Sequence, residues 1–232
     1  MSKSTKSAVF TTKPERLWGF LYLILQLFAF PYILAYGNTL LPLPLSKSWL
    51  NILYFCLNFI FTCFIFRKLL KRSLVQTGKD TGRFFVTTLA GFGMYYACNV
   101  VLNIVIRLVT SDYTNLNDGN LTQQFQDNFA IMAICTALLV PVAEELLYRG
   151  LVFGSLCNKK PWMAYTISAI LFSVIHIMGY LSKYSAPHLL VAFVQYLPAG
   201  FALAWAYHKS RSIFSPILIH ATINTLGILA LR

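Results

Sequence analysis

Seven apolar stretches, each close to the roughly 20 residues that cross a bilayer's hydrocarbon core as a helix, constrain this chain more than any other feature. They are residues 17–36, 49–66, 84–106, 129–157, 162–182, 188–207 and 213–231. In lipid, backbone N–H and C=O groups have no water to bond, so such segments must satisfy themselves as helices. The fold expected is therefore all-α, a polytopic transmembrane helical bundle of about seven spans. A soluble chain carries about 25% charged residues, and the 11% found here beside 57% hydrophobic residues could not keep this chain in water. The net charge of +12 does not point to nucleic acid, because Lys and Arg sit in short tracts between the apolar runs.

Those tracts orient the bundle. Fourteen Lys and Arg fall in residues 1–16, 67–83, 158–161 and 208–212, against four at Lys47, Arg107, Lys183 and Arg232. Cytoplasmic loops carry the excess, which places the N-terminus in the cytoplasm, the C-terminus outside and residues 67–83 in a cytoplasmic loop. The segment 110–128, with three Asp and no basic residue, is expected outside; it contains an Asn120-Leu-Thr122 sequon. The first span, long for a signal sequence, reads as a retained anchor. All five cysteines fall within spans and lack disulfide or zinc-ribbon spacing, so they read as free apolar fillers.

Six of the seven spans contain no Asp, Glu, Lys or Arg; the exception is 129–157, which holds Glu144, Glu145 and Arg149. An ionisable group inside a span marks function by default. Consecutive helix positions diverge by about 100°, so the two carboxylates are expected to face different partners. Arg149, four residues after Glu145, is spaced to pair with it, which leaves Glu144 alone. His176 follows Phe172 by one turn in the fifth span, and His220 precedes Asn224 by one turn in the seventh. Counted from the cytoplasmic ends, Glu144 and His176 both lie 14 residues deep. His220 and Asn224 fall within about 9 Å of that level at about 1.5 Å per residue. Pro141 can kink the fourth span beside Glu144, and the Gly150/Gly154 step offers a close approach to another helix.

Glu-Glu-Leu-Leu-Tyr-Arg at 144–149, Phe-Ser-Val-Ile-His at 172–176 and His-Ala-Thr-Ile-Asn at 220–224 resemble, in order, the three motifs of the intramembrane CAAX-protease and bacteriocin-processing family, also called CPBP or Abi proteases. The resemblance covers about 129–231. It implies an intramembrane protease core at 129–232, in the last four spans, with 1–128 as N-terminal anchor spans. It also implies Glu144, His176, His220 and Asn224 as the catalytic set, supported by Glu145, Arg149 and Phe172. The short chain resembles the family's bacterial branch, linked to bacteriocin immunity or peptide processing, in a bacterial plasma membrane. The partners implied are membrane lipid and a peptide or membrane-protein substrate, with no nucleic acid.

Peptide hydrolysis in a membrane needs a water, a base and donors for the oxyanion. Glu144 with His176 fits the base, and His220 with Asn224 fits the donors. Glu144, His176 and His220 also form a His₂Glu set that zinc could use, although no His-Glu-x-x-His is present. Two other functions use the same residues: a proton-coupled transporter, and a non-enzymatic immunity protein that binds a peptide. Gln195 reads as an interhelical hydrogen bond or a lining residue of the site.

Overall fold

The first predicted span is bent. In the computed structural model, which describes residues 10–109 and 128–230, it divides into α1 (Lys13–Phe28) and α2 (Phe30–Thr39), inclined by 54° at Ala29. Pro31 causes the break: it has no N–H to give, and its ring displaces the carbonyl one turn back. At its start α1 is closed by a capping box in which the Thr12 hydroxyl accepts the Glu15 N–H and the Glu15 carboxylate accepts the Thr12 N–H.

The remaining helices are α3 (Lys47–Ile65), α4 (Arg67–Lys79), α5 (Thr81–Val109), α6 (Phe129–Leu156), α7 (Pro161–Met178), α8 (Ala186–Ser210) and α9 (Phe214–Ala230). Among the described residues every regular element is helical. The chain is a multi-pass membrane protein: α3, α5, α6, α7 and α8 are long and apolar enough to cross, and the bent α1–α2 pair makes a sixth candidate. The seventh expected span, α9, has only 17 residues. The segment 110–127, with its sequon, lies outside the described residues.

Helix α4 corrects the expectation of a loop over 67–83. Its five basic residues hide an amphipathic period: Leu69 and Ser73 are buried, while Arg67, Lys68, Lys71 and Lys79 are exposed. It folds back onto the turn between α8 and α9. The Thr77 and Ser212 hydroxyls lie 2.7 Å apart, the Ile213 N–H donates to Ser73 Oγ at 3.3 Å, and Arg83 Nε donates to the Lys209 carbonyl at 2.7 Å. Two of the basic tracts assigned to one membrane side therefore meet at one end of the bundle.

The core centres on α6, whose Leu146, Leu147, Tyr148, Leu151 and Phe153 are buried against α1, α7 and α8. Helices α7 and α8 touch backbone to backbone at Gly200, where a Cβ would stand 2.6 Å from Ala169 Cα. The Gly150/Gly154 step receives side chains and not a helix backbone: a Cβ at Gly150 would meet Leu69 Cδ2 at 2.7 Å, and one at Gly154 would meet Phe10 Cδ1 at 3.2 Å. Within α6, the segments Cys135–Leu139 and Leu146–Phe153 wind as π-helix on either side of Val140–Glu145. π turns inside α-helices occur often at functional sites, and these bracket the two carboxylates.

Candidate active site

Pro141 makes the first of these π turns necessary and leaves a debt behind it. The Val140 N–H donates five residues back to the Cys135 carbonyl. Thr136 would next accept from residue 141, which is proline and has no N–H. The orphaned Thr136 carbonyl is taken by the Asn224 side chain, whose Nδ2 donates to it at 2.9 Å. Asn224 thereby ties α9 to α6 one turn past His220 and eight residues ahead of Glu144. One of its two amide N–H groups is used in this way.

One turn on, Arg149 and Glu145 are both completely buried, with Nη1 and Oε1 2.8 Å apart. The guanidinium also stands 4.2 Å over the Phe172 ring and directs Nη2 toward the Ala199 and Gly200 carbonyls at 3.5 and 3.4 Å. A buried charge needs such company, because desolvation costs several kcal/mol per ion. The same Glu145 oxygen accepts from His220 Nδ1 at 2.8 Å. Since a carboxylate paired with Arg149 only accepts, Nδ1 carries the proton, and Nε2 faces Glu144 Oε2 at 3.9 Å.

The expectation that adjacent carboxylates must address different partners is thus corrected. An imidazole has two nitrogens on different edges, so one ring fits between two carboxylates that diverge around a helix. Glu144 is 21% exposed at its side chain, and its Oε2 accepts no hydrogen bond; Glu145 Oε2 is likewise unpartnered.

His176 Nδ1 lies 2.7 Å from the Phe172 carbonyl, which can only accept, so this nitrogen is protonated and a neutral ring keeps its lone pair on Nε2. The ring is clamped between Phe172, at 4.3 Å, and Tyr196, stacked at 4.2 Å. Phe172 also meets Tyr148 and His220 edge-on, at 5.9 and 5.7 Å. His176, His220, Asn224 and Phe172 line one cavity of about 350 Å³, and no hydrogen bond or ion pair joins Glu144 to His176. His220 is the group between them.

The opposite wall of that cavity comes from α5 and α8: Tyr95, Tyr96, Asn99, Asn103, Gln195 and Tyr196. Gln195 Nε2 donates to Asn103 Oδ1 at 3.5 Å, so it both bonds between helices and lines the site. Counting only charges passed over the α5 residues, although Tyr95, Asn99 and Asn103 stand one turn apart on one face, which was the available signal. Tyr196 gave no signal of its own. Among the described residues no three His, Cys, Asp or Glu side chains are grouped to hold a metal ion. Glu144, His176 and His220 are not drawn together as such a group.

Residues 126–226 match the family described as type II CAAX prenyl endopeptidase Rce1-like. The matched segment, 101 of the chain's 232 residues, is similar to that family. UPF0177 protein YxdF of Lactococcus lactis is 34% identical over 90 residues, which are 39% of this chain and 44% of that protein. The Bacillus subtilis protein named "Putative membrane peptidase YdiL" is 29% identical over 100 residues, 43% of this chain and 36% of that one. UPF0177 protein YaiF of Lactococcus lactis is 32% identical over 144 residues, 57% of this chain and 61% of that protein. The chain thus spans less than half the length of the first two relatives. No solved structure matches it.

Proposed function

We propose that the protein is an intramembrane endopeptidase that hydrolyses a peptide bond in a membrane-associated or peptide substrate. The observation that carries this reading is His220, fixed by Glu145 at 2.8 Å with Glu144 at 3.9 Å from its other nitrogen. His176 completes the arrangement with an unprotonated Nε2 on the same cavity. The segment similar to the CAAX prenyl endopeptidase family and the name of the Bacillus relative support it.

In this mechanism a water attacks the scissile carbonyl carbon as a C–O bond forms, Glu144 takes its one released proton, and His176 Nε2 accepts a hydrogen bond from the same water. His220 stabilises the oxyanion from Nε2, which requires a second proton on the ring. Glu144 is placed to share that proton, and Glu145 holds the other side of the imidazolium. The second N–H of Asn224 supplies a further donor. Collapse of the tetrahedral adduct breaks the C–N bond, and the departing amine takes the proton back from the base. Glu145, Arg149 and Phe172 hold the ring and contribute no proton. We place the protein in a bacterial plasma membrane, with a role in peptide processing or bacteriocin self-immunity, on the ground that its relatives above are bacterial.

The test is cleavage of a mixture of apolar membrane peptides by the purified full chain in detergent, with products mapped by mass spectrometry. Glu144→Gln keeps the shape and removes the base, so activity should fall at least about a hundredfold at normal yield. A folded Glu144→Gln protein with full activity would overturn the peptidase reading in favour of a non-enzymatic peptide-binding protein.

A further inference from the structure

A second cavity, lined by none of the residues of the first, opens with about 490 Å³ between the start of α1 and the junction of α3 and α4. Its apolar side is Pro14, Trp18, Phe64 and Ile65, and its polar end is Arg67 and Lys68, with Thr12 and Glu15 at the base. Trp18 and Phe64 are 61% and 67% exposed. Here α3 ends its apolar run and gives way to basic α4, the level at which a span meets lipid headgroups and Trp gathers. On the exposed face of α4, Leu74 and Val75 stand among Arg67, Lys68 and Lys71, so apolar and basic side chains are presented together.

The charge at this corner is lopsided. Residues 13–16 and 67–72 carry six basic side chains and one carboxylate, Glu15. That carboxylate is spent within the protein. Its Oε1 accepts the Leu69 N–H at 2.7 Å, and Oε2 accepts the Thr12 N–H, the Thr12 hydroxyl and Arg72 Nη2 at 2.8, 2.7 and 3.1 Å. Arg67 gives one N–H to the Phe64 carbonyl at 3.3 Å and lies over the Phe64 ring, which leaves its other N–H groups free. Lys68 has no acidic partner among the described residues. A groove that is greasy along its length and cationic at one end matches an acyl chain attached to an anionic phosphodiester.

We propose that this groove binds one anionic phospholipid, with its headgroup phosphate on Arg67 and Lys68 and an acyl chain along Trp18 and Phe64. The site is independent of the peptidase reading.

Native mass spectrometry of the full chain in detergent tests it, with phosphatidylglycerol as the probe. The wild type should retain a phosphatidylglycerol adduct that excess phosphatidylcholine and excess inorganic phosphate do not displace. Arg67→Gln/Lys68→Gln should lower the adduct at least tenfold. Lys159→Gln/Lys160→Gln, which removes the same charge at another turn, should leave it unchanged. Lys68→Gln alone, at an exposed side chain, provides the same comparison should the double variant misfold, and should weaken the adduct severalfold. No adduct on the wild type, equal retention of phosphatidylcholine, displacement by free phosphate, or equal loss in the control pair would each overturn the proposal.

Discussion

Two buried glutamates, each beside an arginine, divide this molecule into contrasting regions. Glu15, at the junction of α1 and α4, accepts four hydrogen bonds and has no unused oxygen. Glu145, in the middle of α6, accepts two on one oxygen and none on the other, and Glu144 beside it has an unpartnered Oε2. An unpaired buried polar atom costs roughly 1–3 kcal/mol. The first region uses a carboxylate to join helices and fills every position around it. The second leaves acceptors open, as a place that must receive water and protons does.

Breaking each region in turn sharpens that contrast. Arg149→Ala should have the largest effect, because it strands a completely buried carboxylate. The loss should be about 3–5 kcal/mol, read as low yield or early thermal unfolding in detergent. A stable Arg149→Ala protein would mean that Glu145 is not held as an ion.

Asn224→Ala should cost about 2 kcal/mol by uncovering the Thr136 carbonyl. The loss should nearly vanish in a Pro141→Ala background, because residue 141 then has an N–H to give. Thermal unfolding of the four proteins of this cycle checks it, and equal losses in both backgrounds would remove the carbonyl from the account. Glu15→Ala should be mildest, about 1 kcal/mol, in the range of a lost helix cap. Arg72 is already 42% exposed and water can take over its charge. A collapse on the scale of Arg149→Ala would show the two regions to be alike.

Much of this could be read from residue order, and the exceptions have physical causes. The helical class and the three motif-bearing spans follow from apolar runs and from where charge interrupts them. The Glu145–Arg149 contact follows from one-turn spacing. The bend at Ala29 was carried in Pro31 but masked by apolar neighbours. Helix α4 was hidden because five basic residues outweigh the two-residue buried stripe at Leu69 and Ser73. The shared imidazole could not be read at all, since the ring reaches α6 from a helix 75 residues away. The wall formed by Asn99 and Asn103 was legible only in part: their one-turn spacing sets them on one face, but how α5 is rotated decides where that face points.

The π turns of α6 set the rotational phase of everything around them. Each one admits an additional residue into a turn, so Glu144 and Glu145 stand out of step with the sequence that precedes Cys135. A deletion there is absorbed as the wide turn tightens to α geometry, but one residue more than a wide turn can hold would swing the remainder of the span by about 100°. Every functional side chain would still be present, and the two carboxylates would turn away from His220 together. Alignment in this span is therefore encoded by residue count as well as by residue type, which makes it far more tolerant of substitution between the motifs than of insertion.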